Sequence, residues 1–107
     1  ILTLLKYKDF SMLFTGDSNA ETFNKLKEFL PKNITVLKIG HHGGLGVVNK
    51  DMMNYLNPQI SLISVGENKF GHPNLLTLNA LKNTKILRTD VNNAVKFMVN
   101  DKGLKIY

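Results

Sequence analysis

Cysteine is absent from the 107 residues, so the chain can form neither a disulfide nor a thiolate metal site, and any metal it helps to hold must take nitrogen and oxygen donors. Arginine occurs once, at Arg88, which all but removes the side chain best suited to bidentate phosphate binding. No apolar run approaches the roughly 20 residues needed to cross a bilayer, and no series of charged, apolar and small residues resembles a signal peptide, so a soluble domain is expected. Also missing are the His-Glu-x-x-His pair of a helical zinc site, a Gly-x-Ser-x-Gly nucleophile turn and a Gly-x-x-x-x-Gly-Lys phosphate loop. The formal charge is +6, yet the lysines are spread from Lys6 to Lys105 without a basic block. Such a charge favours loose association with polyanions and marks no site.

What the chain does contain is concentrated chemistry. Two of its three histidines stand side by side in Gly40-His41-His42-Gly43-Gly44, directly after the apolar run Ile34 to Ile39. Thr15-Gly16-Asp17 follows the apolar run Met12 to Phe14, and Gly71-His72-Pro73 lies shortly after the run Ile60 to Val65. At this length, with 43% hydrophobic residues, one domain with a modest core is expected. The start at Ile1, passing at once into Leu-Thr-Leu-Leu, reads as a piece of a longer protein.

The pattern predicts a hairpin from Leu2 to Tyr7 and Phe10 to Phe14 across Lys8-Asp9. A helix follows from Ser18, with Ser18 and Glu21 at capping-box spacing, Phe23, Leu26 and Leu30 on one face, and Pro31 ending it. Ile34 to Ile39 is β-branched and too short for a stable helix, and reads as a buried strand. A short helix is expected from Asn49 to Leu56 and a strand from Ile60 to Val65. Pro73 suits the first position of a third helix, with His72 as its N-cap and Leu75, Leu78 and Leu81 on its apolar face. Strands over Lys85–Arg88, Ala94–Val99 and Leu104–Tyr107 complete the order ββ-α-β-α-β-α-βββ. Strands joined by helices imply parallel crossovers and an α/β fold, in which functional groups collect beyond the carboxyl ends of the strands. Asp17, His41, His42 and His72 all sit at such ends.

Each loop supports two readings. Asp17 is either a turn and cap aspartate or a hard carboxylate able to bridge two metal ions. Neighbouring residues of an extended chain point to opposite sides, so His41 and His42 face one ligand together only if the loop twists, which its glycines permit. His72 is either an ordinary cap residue or a third imidazole in the same pocket. Arg88-Thr89-Asp90 is a salt bridge or a turn. Asp17 with one or two histidines is an incomplete site, because a catalytic zinc ordinarily takes three protein ligands and two ions take more.

Taken in order, Leu13-Phe14-Thr15-Gly16-Asp17, Leu37-Lys38-Ile39-Gly40-His41-His42-Gly43, Ser64-Val65-Gly66-Glu67-Asn68-Lys69-Phe70-Gly71-His72-Pro73 and Arg88-Thr89-Asp90 resemble the carboxyl-terminal half of the metallo-β-lactamase-like domain of ComEC-type competence proteins. The resemblance runs through almost the whole chain. It implies the second half of an αββα sandwich, with residues 1–107 a single partial domain. It also implies that Asp17 and His42 are metal ligands, while His41 and His72 line the pocket as secondary ligand, proton donor or substrate contact. The implied cofactor is Zn²⁺ or Mn²⁺, one or two ions in the complete domain.

The His-x-His-x-Asp-His motif of the first half of such domains is absent from this chain, so metal binding here is expected to be weak or lacking. The implied partners are an N-terminal half of the same domain, DNA, and a second copy of the chain through an exposed sheet face, within a larger bacterial membrane protein. The leading expectation is thus part of a metal-dependent hydrolase acting on phosphoesters, specifically DNA during uptake. Two rivals stand beside it: a non-catalytic basic module that binds nucleic acid or a partner subunit, and a soluble relative that hydrolyses another ester.

Overall fold

A computed structural model describes residues 1–107. β1 (Thr3–Tyr7) and β2 (Phe10–Phe14) form the expected hairpin, with Thr3 opposite Phe14 and Tyr7 opposite Phe10. From β2 onward the chain crosses over through helices, adding β3 (Val36–Lys38), β4 (Ile60–Ile63) and β5 (Lys85–Arg88), each parallel to the strand before it. The result is a mixed five-stranded sheet in the order β1-β2-β3-β4-β5, and the fold is α/β as expected. Sequential order with a constant crossover hand places every crossover helix on one face.

Those helices are α1 (Ala20–Leu26), continued by a 3₁₀ turn at Lys27–Phe29, then α2 (Lys50–Leu56) and α3 (Leu75–Ala80). Phe23 of α1, Met52 and Leu56 of α2, and Leu81 just beyond α3 meet Leu13, Leu37 and Ile63 of the sheet in the main core. Period-2 alternation sends the intervening strand residues to the other face. There Phe10, Met12, Val36, Ile60 and Leu87 form a second cluster.

The second cluster is covered by a separate two-stranded antiparallel ribbon, β6 (Phe97–Asn100) and β7 (Gly103–Ile106), through Phe97, Val99, Leu104 and Ile106. The expected bare sheet face is therefore partly clothed by the chain itself. Leu5, Tyr7 and Phe14, on the same face by register, stay exposed. No helix is long and apolar enough to cross a membrane.

Four local expectations need correction. The cap of α1 is Asn19, whose Oδ1 accepts from the Thr22 backbone N–H at 3.0 Å, and Ser18 lies outside the helix. The cap of α3 is Asn74, accepting from the Leu76 N–H at 2.9 Å, so His72 and Pro73 precede the helix and belong to the loop. In both places an Asx side chain a step or two further on supplies the oxygen that the first turn requires. β3 is shorter than the buried run Ile34 to Ile39, because only its middle pairs in the ladder. A short helix, α4 (Thr89–Asn92), follows β5 directly in place of the turn that was one alternative there, while the other alternative, a salt bridge from Arg88 to Asp90, is present.

Candidate functional site

The loops after β2, β3 and β4 meet at the carboxyl edge of the sheet, and three sets of contacts hold them there. First, Thr15 is buried and its hydroxyl donates to the Lys38 carbonyl at 2.7 Å, while the His41 N–H donates to the Gly16 carbonyl at 2.9 Å. That approach requires glycine at 40: a Cβ there would lie 2.8 Å from the Gly16 carbonyl oxygen and 2.9 Å from that of Ser18. Second, the Asn74 N–H donates to the Gly43 carbonyl at 2.9 Å, and the buried Thr77 hydroxyl donates to that of Gly44 at 2.8 Å. Gly43 has φ of +80°, and a Cβ on it would stand 2.7 Å from the Pro73 Cβ, so glycine seats one histidine loop against the other. Third, the Thr89 hydroxyl accepts from the Val65 N–H at 2.8 Å and donates to its carbonyl at 2.9 Å, fixing the end of β4.

The twist that both neighbouring imidazoles require is made by the histidines themselves. His41 and His42 form a 3₁₀ turn with φ of 45° and 55°, a left-handed pair that costs non-glycine residues about 1 kcal/mol or more each. The twist brings both rings to one side. The His41 and His72 ring centres are 5.2 Å apart, those of His42 and His72 6.5 Å, and those of His41 and His42 6.3 Å. Asp17 joins them: its Oδ1 is 3.8 Å from His41 Nδ1. All four residues named from the sequence thus converge on one rim.

His42 is the most firmly oriented of the three imidazoles. Its Nδ1 lies 2.7 Å from the Ser64 carbonyl oxygen, and because a carbonyl only accepts, Nδ1 carries the proton. In the neutral ring this leaves the Nε2 lone pair free, the arrangement by which a backbone carbonyl prepares a histidine to ligate a metal. In donor type Asp17 and His42 suit a Zn²⁺ or Mn²⁺ ion, and His42 is in addition oriented for one. Within this chain, however, no group of three or more His, Asp or Glu side chains is arranged to hold one.

Three contributors were not singled out from the sequence. Lys38, opposite Phe14 on the ribbon side of the sheet, is half-buried near Asp17. Burial pushes its ammonium below the ordinary lysine range, and the Asp17 carboxylate acts in the opposite sense. Asn68 organises the loop that carries His72, and Thr77 ties α3 to the double-histidine loop. Only Asn68, three residues ahead of Gly71-His72-Pro73, offered a signal, since Asn is a habitual loop organiser. Arg88 and Asp90 form the expected ion pair, a two-pronged one at 3.0 and 2.7 Å. Its hydrogen bonds hold the Asp90 carboxyl below the usual carboxylate range.

No protein-family model matches the chain. Among curated proteins it is similar to ComE operon protein 3 of Bacillus subtilis (strain 168), with 32% identity over 91 residues, a stretch that covers 81% of this chain and 12% of the length of that protein.

Proposed function

We propose that this chain supplies the second half of a metal-dependent phosphoester hydrolase centre that acts on DNA during competence. One observation carries the reading: Asp17 and three imidazoles, drawn from three separate strand-end loops, meet on one rim, with His42 oriented for ligation by the Ser64 carbonyl. The similarity to ComE operon protein 3 supports the competence setting, and the order of the four motifs supports the metallo-β-lactamase-like half-domain. Asp17 and His42 would hold a Zn²⁺ or Mn²⁺ ion together with donors from outside this chain, completing the αββα sandwich. When bound, such an ion makes water acidic enough to yield hydroxide near neutral pH and offsets charge developing on phosphate oxygens.

The chain's own residues do the rest. His41 and His72 lie within reach of one group bound at the rim and act as proton donor and substrate contact. Asp17 lies beside His41, its Oδ1 3.8 Å from Nδ1. Lys38 adds a half-buried positive charge at the same edge. Hydrolysis of a single-stranded DNA oligonucleotide by the full-length protein, with Mn²⁺ or Zn²⁺ added after chelation, tests the reading. Asp17→Ala and His42→Ala should each reduce metal-restored turnover to background, and full turnover in either variant overturns the assignment. The excess of lysine favours one second reading, a non-catalytic module that binds nucleic acid. Salt-dependent DNA binding that survives chelation, with no turnover under any metal, would select it.

A further inference from the structure

We infer that Phe70 is a stacking platform for an unpaired nucleobase beside the histidine rim, so that the site takes single-stranded rather than duplex DNA. The inference rests on the hydrolase reading for its substrate class and adds the group that recognises it. Phe70 is 82% exposed, among the most open of the large apolar residues together with Leu75 and Phe29, whereas Phe10 and Phe23 are almost completely buried. It does not hang on a loose loop. The Asn68 side chain donates to the Gly66 carbonyl at 2.9 Å and to the His72 carbonyl at 2.8 Å. Its oxygen accepts from the N–H groups of both Phe70 and His72, each at 3.0 Å. That is the full hydrogen-bonding capacity of an amide, used to fix two residues.

One of those residues is the rim imidazole and the other is the exposed phenyl ring. Their ring centres are 5.8 Å apart and the planes are inclined by 34°. A preorganised aromatic face in water, next to a reacting centre, is suited to a flat partner that arrives with the substrate. The neighbour in sequence, Lys69, adds a cation to the same loop, and the chain as a whole is at +6. Lysine beside an exposed aromatic is the pairing by which single strands are bound without reading sequence: backbone charge is neutralised while the base stacks. In a duplex the bases are already stacked on each other and do not reach such a ring.

The test uses the full-length protein in chelator, where no turnover occurs, and a single-stranded oligonucleotide carrying the fluorescent base 2-aminopurine. Anisotropy gives affinity and quenching reports stacking. The same strand with abasic positions and the matching duplex serve as comparators. Phe70→Ala should weaken binding of the intact strand about tenfold, the usual loss for one stacked base, and should abolish quenching, whereas Phe70→Trp retains both. Phe70→Ala should also lose most of the preference for intact over abasic strands.

If Phe70→Ala keeps the wild-type preference and quenching, the inference is overturned and the ring is left to a protein partner. If that variant fails to fold, the wild-type ratio of intact to abasic binding decides alone, with a ratio near one overturning the inference. The two readings separate cleanly. Base-dependent binding without metal-dependent turnover sinks the hydrolase and leaves Phe70 in place, while turnover without base dependence does the reverse.

Discussion

The two faces of the five-stranded sheet are built from the same alternating strands and end up very differently protected. On the helix side Leu37, Ile63, Leu56 and Leu81 are fully buried beneath the crossover helices, α3 contributing through Leu78 and the following Leu81 while Leu75, expected on its apolar face, is exposed. On the ribbon side a two-stranded hairpin covers the middle of the sheet, while Leu5 and Tyr7 remain about half exposed and Phe14 lies open at the strand end. Sheets with parallel strands are normally covered on both faces. The contrast teaches that the helix side fixes the strand ends, and so the rim, whereas the ribbon side is where a further layer would fit. That supports the half-sandwich proposal on physical grounds separate from motif order.

Breaking the sealed face should have the largest effect. Ile63→Ala is expected to cost about 2–5 kcal/mol in a urea melt of the chain. Val99→Ala, on the half-buried ribbon, should cost less than about 2 kcal/mol. Equal losses would erase the distinction between the faces.

Next comes the junction of the two histidine loops. Gly43→Ala should lose about 1–3 kcal/mol and pull the loops apart, because it combines positive φ with a clash against Pro73. Gly46→Ala is the control: its φ is +82° but the space around it is open, so the cost should stay near 1 kcal/mol and turnover in the full-length protein should survive.

A smaller effect sharpens the ribbon-side argument. Leu5→Ser and Phe14→Ser should each lower the stability of the isolated chain by only about 1 kcal/mol, since both side chains are partly open to solvent there. The same substitutions should lower the Tm of the full-length protein clearly more, if a second layer lies over them.

The smallest expected effect is electrostatic. The Arg88 pair depresses the folded-state pKa of Asp90, so its contribution is present above the unfolded carboxylate pKa and is lost as pH falls through the folded value. Asp90→Asn should therefore reduce Tm slightly at neutral pH, and a pH series of melts should show the difference closing in acid.

Much of this arrangement can be read directly from the residues. The hairpin, β5 and α2 lie within a residue or so of where the residue pattern puts them, and the residues destined for the rim announce themselves by following apolar runs. What local pattern does not carry is partnership. Ala94 to Val99 and Leu104 to Tyr107 read as strands, but nothing in them says that they pair only with each other and lie across the main sheet. The caps moved for a similar reason: Ser18 and His72 have plausible spacing, yet Asn19 and Asn74 reach the first-turn N–H groups once the preceding loops are pinned to their neighbours. The left-handed turn at His41 and His42 was beyond the sequence too, since the flanking glycines looked like the residues that would twist.

The central claim is that Asp17 and His42 share a metal ion at the rim. Crystals of the full-length protein soaked in Mn²⁺, with data collected at the manganese edge, test it most directly. The account predicts an anomalous peak in coordination contact with the Asp17 carboxylate and with Nε2 of His42, removed by Asp17→Ala. A peak elsewhere, or none at the rim under conditions where the protein hydrolyses DNA, would contradict it.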